Sequence, residues 1–343
     1  MKFTSAFAAA VLVVCFMVST GFAQWEKKPV NTIASFRGLA VVNEKIVWAS
    51  GTGGTVIKTT DGGTTWNVMT VPGAEKLDFR DIEAFDANTA YILSIGNGES
   101  SRIYKTIDGG KTWSLQFQNK DPKAFFDAIG CWDRNGCIAM SDPVNGRFRL
   151  VVTGNGGNTW TAALEESSPA AKDGEAAFAA SGTCLVAFGD HTLTSAVIVS
   201  GGMDARVFRL AAAKPFRWEI FNTPIAKGTS GSGIFSIAMF DDKNGVIVGG
   251  NYEKPAEAKD NLAFTSDGGQ TWKLGSGLSG YRSGVTYVDK KMIISVGTNG
   301  SDVTRDGGKT WKKLGDENLN AVAAKGKEAI WAVGPKGLVV KLK

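Results

Sequence analysis

One short motif returns along this chain at steady intervals and restricts what it can fold into. Residues 59–66 read TTDGGTTW, 106–113 TIDGGKTW, 265–272 TSDGGQTW, 304–311 TRDGGKTW and 153–160 TGNGGNTW, the last with Asn155 in place of aspartate. A sixth copy has decayed until only Trp218, behind Arg209 and Phe216, keeps the interval. Turn chemistry recurring every ~40–55 residues between short apolar alternations is the signature of a stacked repeat or a propeller. In each copy the Asp side chain can bond backbone N–H groups two residues on, and the paired glycines supply positive φ, so the motif reads as a hairpin turn. Reading Asp61, Asp108, Asp267 and Asp306 as metal ligands or acids is the weaker choice, because a turn residue satisfying its own backbone already explains the spacing.

Between the motifs the pattern predicts three strands, the second being the most apolar. Such second strands are expected at 46–51, 90–96, 137–142, 184–190, 245–250, 292–297 and 329–334, each ending at Gly or Asp. The last repeat stops after three strands, while the chain from Trp25 (WEKK) reads like Trp311 onward (WKKL). An N-terminal strand that completes the last blade would close the ring and remove the open sheet edge. Fourth strands at Trp25, Trp66, Trp113, Trp160, Trp218, Trp272 and Trp311 then give an all-β, seven-bladed propeller as one domain over 24–343. Aromatic residues at a fixed place in every blade are expected to pack between blades rather than to stack on sugars.

Residues 1–23 carry Lys2, an apolar run over 7–18 and a small-residue exit, the pattern of a secretory signal peptide too short for a good membrane span. The expected location is periplasmic or secreted, with no membrane span after removal of the signal and a monomeric mature chain. Of the cysteines remaining, Cys131 and Cys137 flank a tight turn and can pair across it in an oxidising compartment. A Cys137 to Cys184 bridge between blades is the competing pairing. Lys plus Arg number 38 against 33 Asp plus Glu, net +5, and the basic residues are scattered without the stripe expected of a nucleic-acid binder. One histidine, His191, leaves no room for a histidine-rich metal centre and makes a Ser-His-Asp triad remote. No dinucleotide fingerprint or haem attachment motif occurs, so neither cofactor nor metal is expected.

If strands alternate in direction, the motif turns share one face with the first-to-second turns. The opposite face gathers the longer, more varied loops, where function is expected. Arg37, Arg80, Asp81, Asp127, Glu175 and Arg282 would stand there near first-strand starts, with Asp142, Asp190, His191, Asn251, Tyr252, Asn299 and Asp302 from the other loops. Arg102, Arg147 and Arg206 would lie near third-strand starts. The pairs Phe36-Arg37, Phe79-Arg80 and Tyr281-Arg282 repeat an aromatic before a guanidinium. Three converging guanidiniums would clamp a carboxylate or an acidic partner loop. The bland expectation is a ring of salt bridges with Asp81, Asp127 and Asp142.

The repeated motif resembles the Asp-box of the bacterial neuraminidase repeat, S/T-x-D-x-G-x-T-W. Two families with that box suggest different functions. Sialidases use an arginine triad, a Tyr nucleophile assisted by Glu and an Asp acid/base. Phe36-Arg37-Gly38 faintly resembles their early arginine motif, but Tyr252-Glu253 is the only Tyr beside a carboxylate in sequence. The whole mature chain, with its seven repeats and arginine-bearing first strands, resembles the photosystem II assembly and stability factor family and its bacterial relatives. That resemblance implies a non-enzymatic scaffold holding a protein client in the cell envelope. An acidic glycan, bound or hydrolysed, is the alternative.

Overall fold

In the computed structural model, which describes residues 24–188, 195–211 and 217–343, the alternating apolar runs pair into seven antiparallel sheets. Blade 1 runs Phe36–Val41, Val47–Gly51, Thr55–Thr59 and Asn67–Thr70. The first strands of blades 2 to 7 are Phe79–Ala84, Phe126–Cys131, Leu185–Phe188, Ser232–Met239, Gly284–Tyr287 and Ala321–Ala324. Each first strand touches its counterpart in the next blade, and the last touches the first, so the ring is closed about a central axis. Its Velcro is the N-terminus: Trp25–Lys28 pairs antiparallel with Val339–Leu342 as the fourth strand of blade 7. Trp25 also donates its indole N–H to Ser301 Oγ at 2.9 Å, tying that strand to blade 6.

The core lies between the blades, and the boxes help to build it. In box 1 the Thr59 hydroxyl donates to Asp61 Oδ1 at 2.8 Å, and Asp61 accepts the Thr65 N–H at 2.9 Å and the Thr65 hydroxyl at 2.6 Å. The same bonds recur around Asp108, Asp267 and Asp306. The second glycine of each box lets the turn approach the preceding blade. A Cβ on Gly157 would lie 3.0 Å from Tyr91 Cε1, and its φ of 84° suits glycine. Box tryptophans then meet second-strand aromatics edge to face: Trp113 on Trp48, Trp66 on Trp331 and Trp160 on Tyr91. Trp48 and Trp331 are fully buried. Lys58 and Lys105 sit over Trp48 and Tyr91 and donate to carbonyls of the next box, at Gly109 and Gly156. The boxes lie against the first-to-second turns, as Gly62 N–H to Lys45 O and Gly109 N–H to Asn88 O show, so the two faces sort as expected.

Blade 4 corrects the sequence reading. The apolar run assigned to a second strand at 184–190 is instead a first strand, Leu185–Phe188, and its partner is Ser195–Val199. A short run of Leu, Val and Phe fits either position, and this blade lacks the box that fixes the count elsewhere. Cys184 therefore does not occupy the place of Cys137. The bridge is Cys131 to Cys137 across the blade 3 hairpin, and Cys184 is free and buried. Residues 1–23, Asp190, His191 and Phe216 lie outside the described residues.

Candidate functional site

The connection entering blade 4 does more than join two sheets. Residues 177–183 follow Glu175–Ala176, which pairs with Gly201–Gly202; the Ala177 N–H donates to Asp142 Oδ1 of blade 3 at 2.8 Å, and the segment reaches toward four other blades. The carbonyl of Ala180 accepts from Arg37 of blade 1 at 3.0 Å and that of Ala179 from Arg80 of blade 2 at 3.3 Å. Ser181 Oγ donates to Ser283 O at the start of blade 6 at 2.7 Å, and Thr183 Oγ1 lies 2.6 Å from Ser236 Oγ of blade 5. A seven-residue segment can reach blades on all sides only where they converge, so this strap lies across the axial opening. Gly182, with φ of 76°, sits directly on the Asp81 carboxylate, where any Cβ would collide.

Beside the strap is a recess of 290 Å³ lined by Arg37, Arg80, Phe178, Phe235, Tyr252 and Tyr281, with Ala179 and Ala180. Phe178 of the strap stacks on Phe235 with centroids 3.8 Å apart, and Tyr281 and Tyr252 meet Phe235 edge-on. Arg80 pairs with Asp78, Nε to Oδ2 at 2.7 Å. Arg37 is half-buried, and among the described residues no carboxylate lies within ion-pair distance of it. Burial, and then the neighbouring Arg80 charge, lower its pKa. Burial also raises the Tyr281 phenol, which therefore stays protonated as a potential donor. Two guanidiniums against an aromatic wall suit an anionic group attached to an apolar one.

The other expected residues divide. Arg282 is fully buried, and its five donors are engaged by Asp302, Ser279, Asn299 and the Tyr281 carbonyl. Arg282 and Asp302 are thus a structural ion pair, not a third arm of the clamp. The expected salt-bridge ring does not form either. Asp81 accepts the N–H groups of Ile82 and Ile129 at 2.8 and 2.7 Å and is pushed up to about 7 by burial. Burial lifts Asp142 to about 6, and burial with the adjacent Asp142 charge holds Asp127 well above the carboxylate range. Asp127 is buried with Oδ2 unpartnered. Asn251 caps its own loop by accepting the Glu253 N–H at 2.9 Å, and lines a separate depression with Lys227 and Lys254. Tyr252 reaches the recess. Glu175 and Arg206 form another buried pair, Nε to Oε1 at 2.9 Å. Sequence reasoning missed Phe178, Phe235 and the strap. The only available signal was the long gap between Trp160 and the next apolar run, with one Phe among small residues.

Comparison with known proteins gives the fold relatives. The chain matches YCF48 bound to D1 peptide with a TM-score of 0.67 and 19% identity, covering 93% of this chain and 95% of that one. It matches YCF48 from Cyanidioschyzon merolae at 0.66 and 18%, covering 93% and 98%. The WD40 propeller domain of Doa1 follows the same course at 0.61 and 10%, covering 94% and 98%. None of the curated proteins matches significantly. Residues 18–186 match the profile of the family described as photosynthesis system II assembly factor YCF48, and it is this family that the chain resembles.

Proposed function

We propose that this protein is a non-catalytic scaffold that holds an acidic segment of a protein client at the Arg37 and Arg80 recess, and that residues 1–23 export it to the periplasm or beyond. The observation that carries the reading is Arg37: a half-buried guanidinium beside a second one, without a carboxylate partner among the described residues. An anion there offsets the mutual repulsion and forms charge-assisted bonds. The solved YCF48 with bound D1 peptide supports a peptide as the class of ligand. The buried Arg282 argues against a sialidase-like triad, since the third guanidinium is already engaged by Asp302.

The test is fluorescence anisotropy of the mature protein with a labelled Asp/Glu-rich peptide. Wild type is expected to bind, more weakly as salt rises. Arg37→Ala and Arg80→Ala should each weaken binding about tenfold, the scale of one lost charge-assisted hydrogen bond. Peptide affinity indifferent to both substitutions would reject the reading. Retention or cleavage of sialosides in place of the peptide would move the protein to the glycan-active propellers.

A further inference from the structure

The strap bonds to both arginines of the recess and belongs to neither of their blades. Arg37 and Arg80 come from first strands of adjacent blades, yet their Nη1 atoms donate to the carbonyls of consecutive residues, Ala180 and Ala179. Two like charges at such spacing repel, and burial alone disfavours the Arg37 cation. Adjacent carbonyl dipoles counter part of that repulsion through one Nη1 on each arginine, while Arg80 Nε is held by Asp78. The strap also supplies Phe178 to the aromatic wall. Its own position is set from below and from the side. The Ala177 N–H is fixed by Asp142, Gly182 rests on Asp81, and Ser181 and Thr183 are tied to blades 6 and 5.

We propose that residues 177–183 are a positioning element for the anion site: anchored by Asp142 and seated on Asp81, the strap holds Arg37 and Arg80 side by side and orients them toward the recess. It rests on the reading of the recess as an anion site for its purpose, but not for its geometry.

The geometry can be tested without any client. Folded wild type, Asp142→Ala and Asp142→Asn are treated with phenylglyoxal, and modification of each arginine is followed by peptide mass mapping. Arg217, whose side chain is exposed, serves as the internal reference. In Asp142→Ala the Ala177 N–H loses its acceptor, and Arg37 and Arg80 should both react about fivefold faster, the scale of a modest local opening. Asp142→Asn keeps an oxygen acceptor and should restore the wild-type rates, which a general loss of stability would not do. Should Asp142→Ala fail to fold, Phe178→Ala removes the stack on Phe235 instead and should free the same two arginines. Wild-type reactivity of both arginines in a folded strap variant would overturn the proposal, as would acceleration of only one of them. Anisotropy with the Asp/Glu-rich peptide on the same samples separates the two claims. Faster labelling with no peptide binding, even by wild type, leaves the strap's role standing and removes the client reading.

Discussion

Asn155 is a substitution already present in the chain, and it shows what the box aspartates do. Its Oδ1 accepts the Thr159 N–H at 3.0 Å, as the aspartates do, while its amide donates to Thr159 Oγ1 at 2.9 Å, the reverse of the usual polarity. The turn thus needs a planar acceptor at that atom more than it needs a charge. In the charged copies, bonds from the following Thr hydroxyl and N–H hold Asp61, Asp108 and Asp267 down at about 2. Asp267→Asn, which keeps the acceptor and loses only the charge, should therefore lower the melting temperature less than Asp267→Ala, whose lost hydrogen bonds should cost about 2 °C. Equal losses for both, measured by differential scanning calorimetry, would mean that the charge matters after all. These residues were legible in the sequence because every bond they make is within four positions. Arg282 was not: its carboxylate, Asp302, comes from the third strand of blade 6 while Arg282 precedes the first, and sequence shows both only as polar residues near strand ends.

Among the elements, the junction between blades is the repeating mechanical unit. A second-strand aromatic receives the next box tryptophan on its edge, while a third-strand lysine covers its face and bonds the next box. Trp48 also donates its indole N–H to Asp86 O at 3.0 Å, in the neighbouring blade. Trp48→Ala should cost about 3–5 kcal/mol, the usual scale for emptying a large buried aromatic site. Denaturant titration checks this, and a loss under about 1 kcal/mol would show that the junction collapses without strain. The same regularity explains why six blades could be read from sequence and one could not. Blade 4 has no box to mark its third-to-fourth turn, and its first strand was taken for its second. The strap was illegible for a different reason: AAFAASGT has no period, and its contacts go to blades far away in sequence.

The whole molecule sets its two faces under opposite electrostatic conditions. On the box face, the box aspartates are stabilised as anions by their own turns. On the other face, Asp81, Asp127 and Asp142 crowd beneath the strap, and among the described residues none of them has a cation within ion-pair distance. Ring closure enforces this crowding, because the first strands that carry Asp81 and Asp127 converge, with Asp142 beside them on the second strand of blade 3. The consequences for stability have opposite signs. Asp81 and Asp142 hold their protons up to about 7 and about 6 when folded, against ~3.9 for an unfolded aspartate. The folded state therefore binds more protons than the unfolded chain across that window. Their stabilising contribution is complete below the unfolded value and is lost as pH rises through 6 to 7. The box aspartates, depressed to about 2, contribute above the unfolded value, and that contribution disappears as pH falls toward 2. The melting temperature should thus be highest near pH ~4–5, fall toward pH ~8 and fall again below pH ~3. Asp142→Asn, which cannot ionise, should flatten the decline above pH ~5 without altering the acid limb. A melting temperature that rises steadily from pH ~5 to ~8 in the wild type would show that the carboxyls under the strap are not strained as anions, and that solvent in the axial opening screens them.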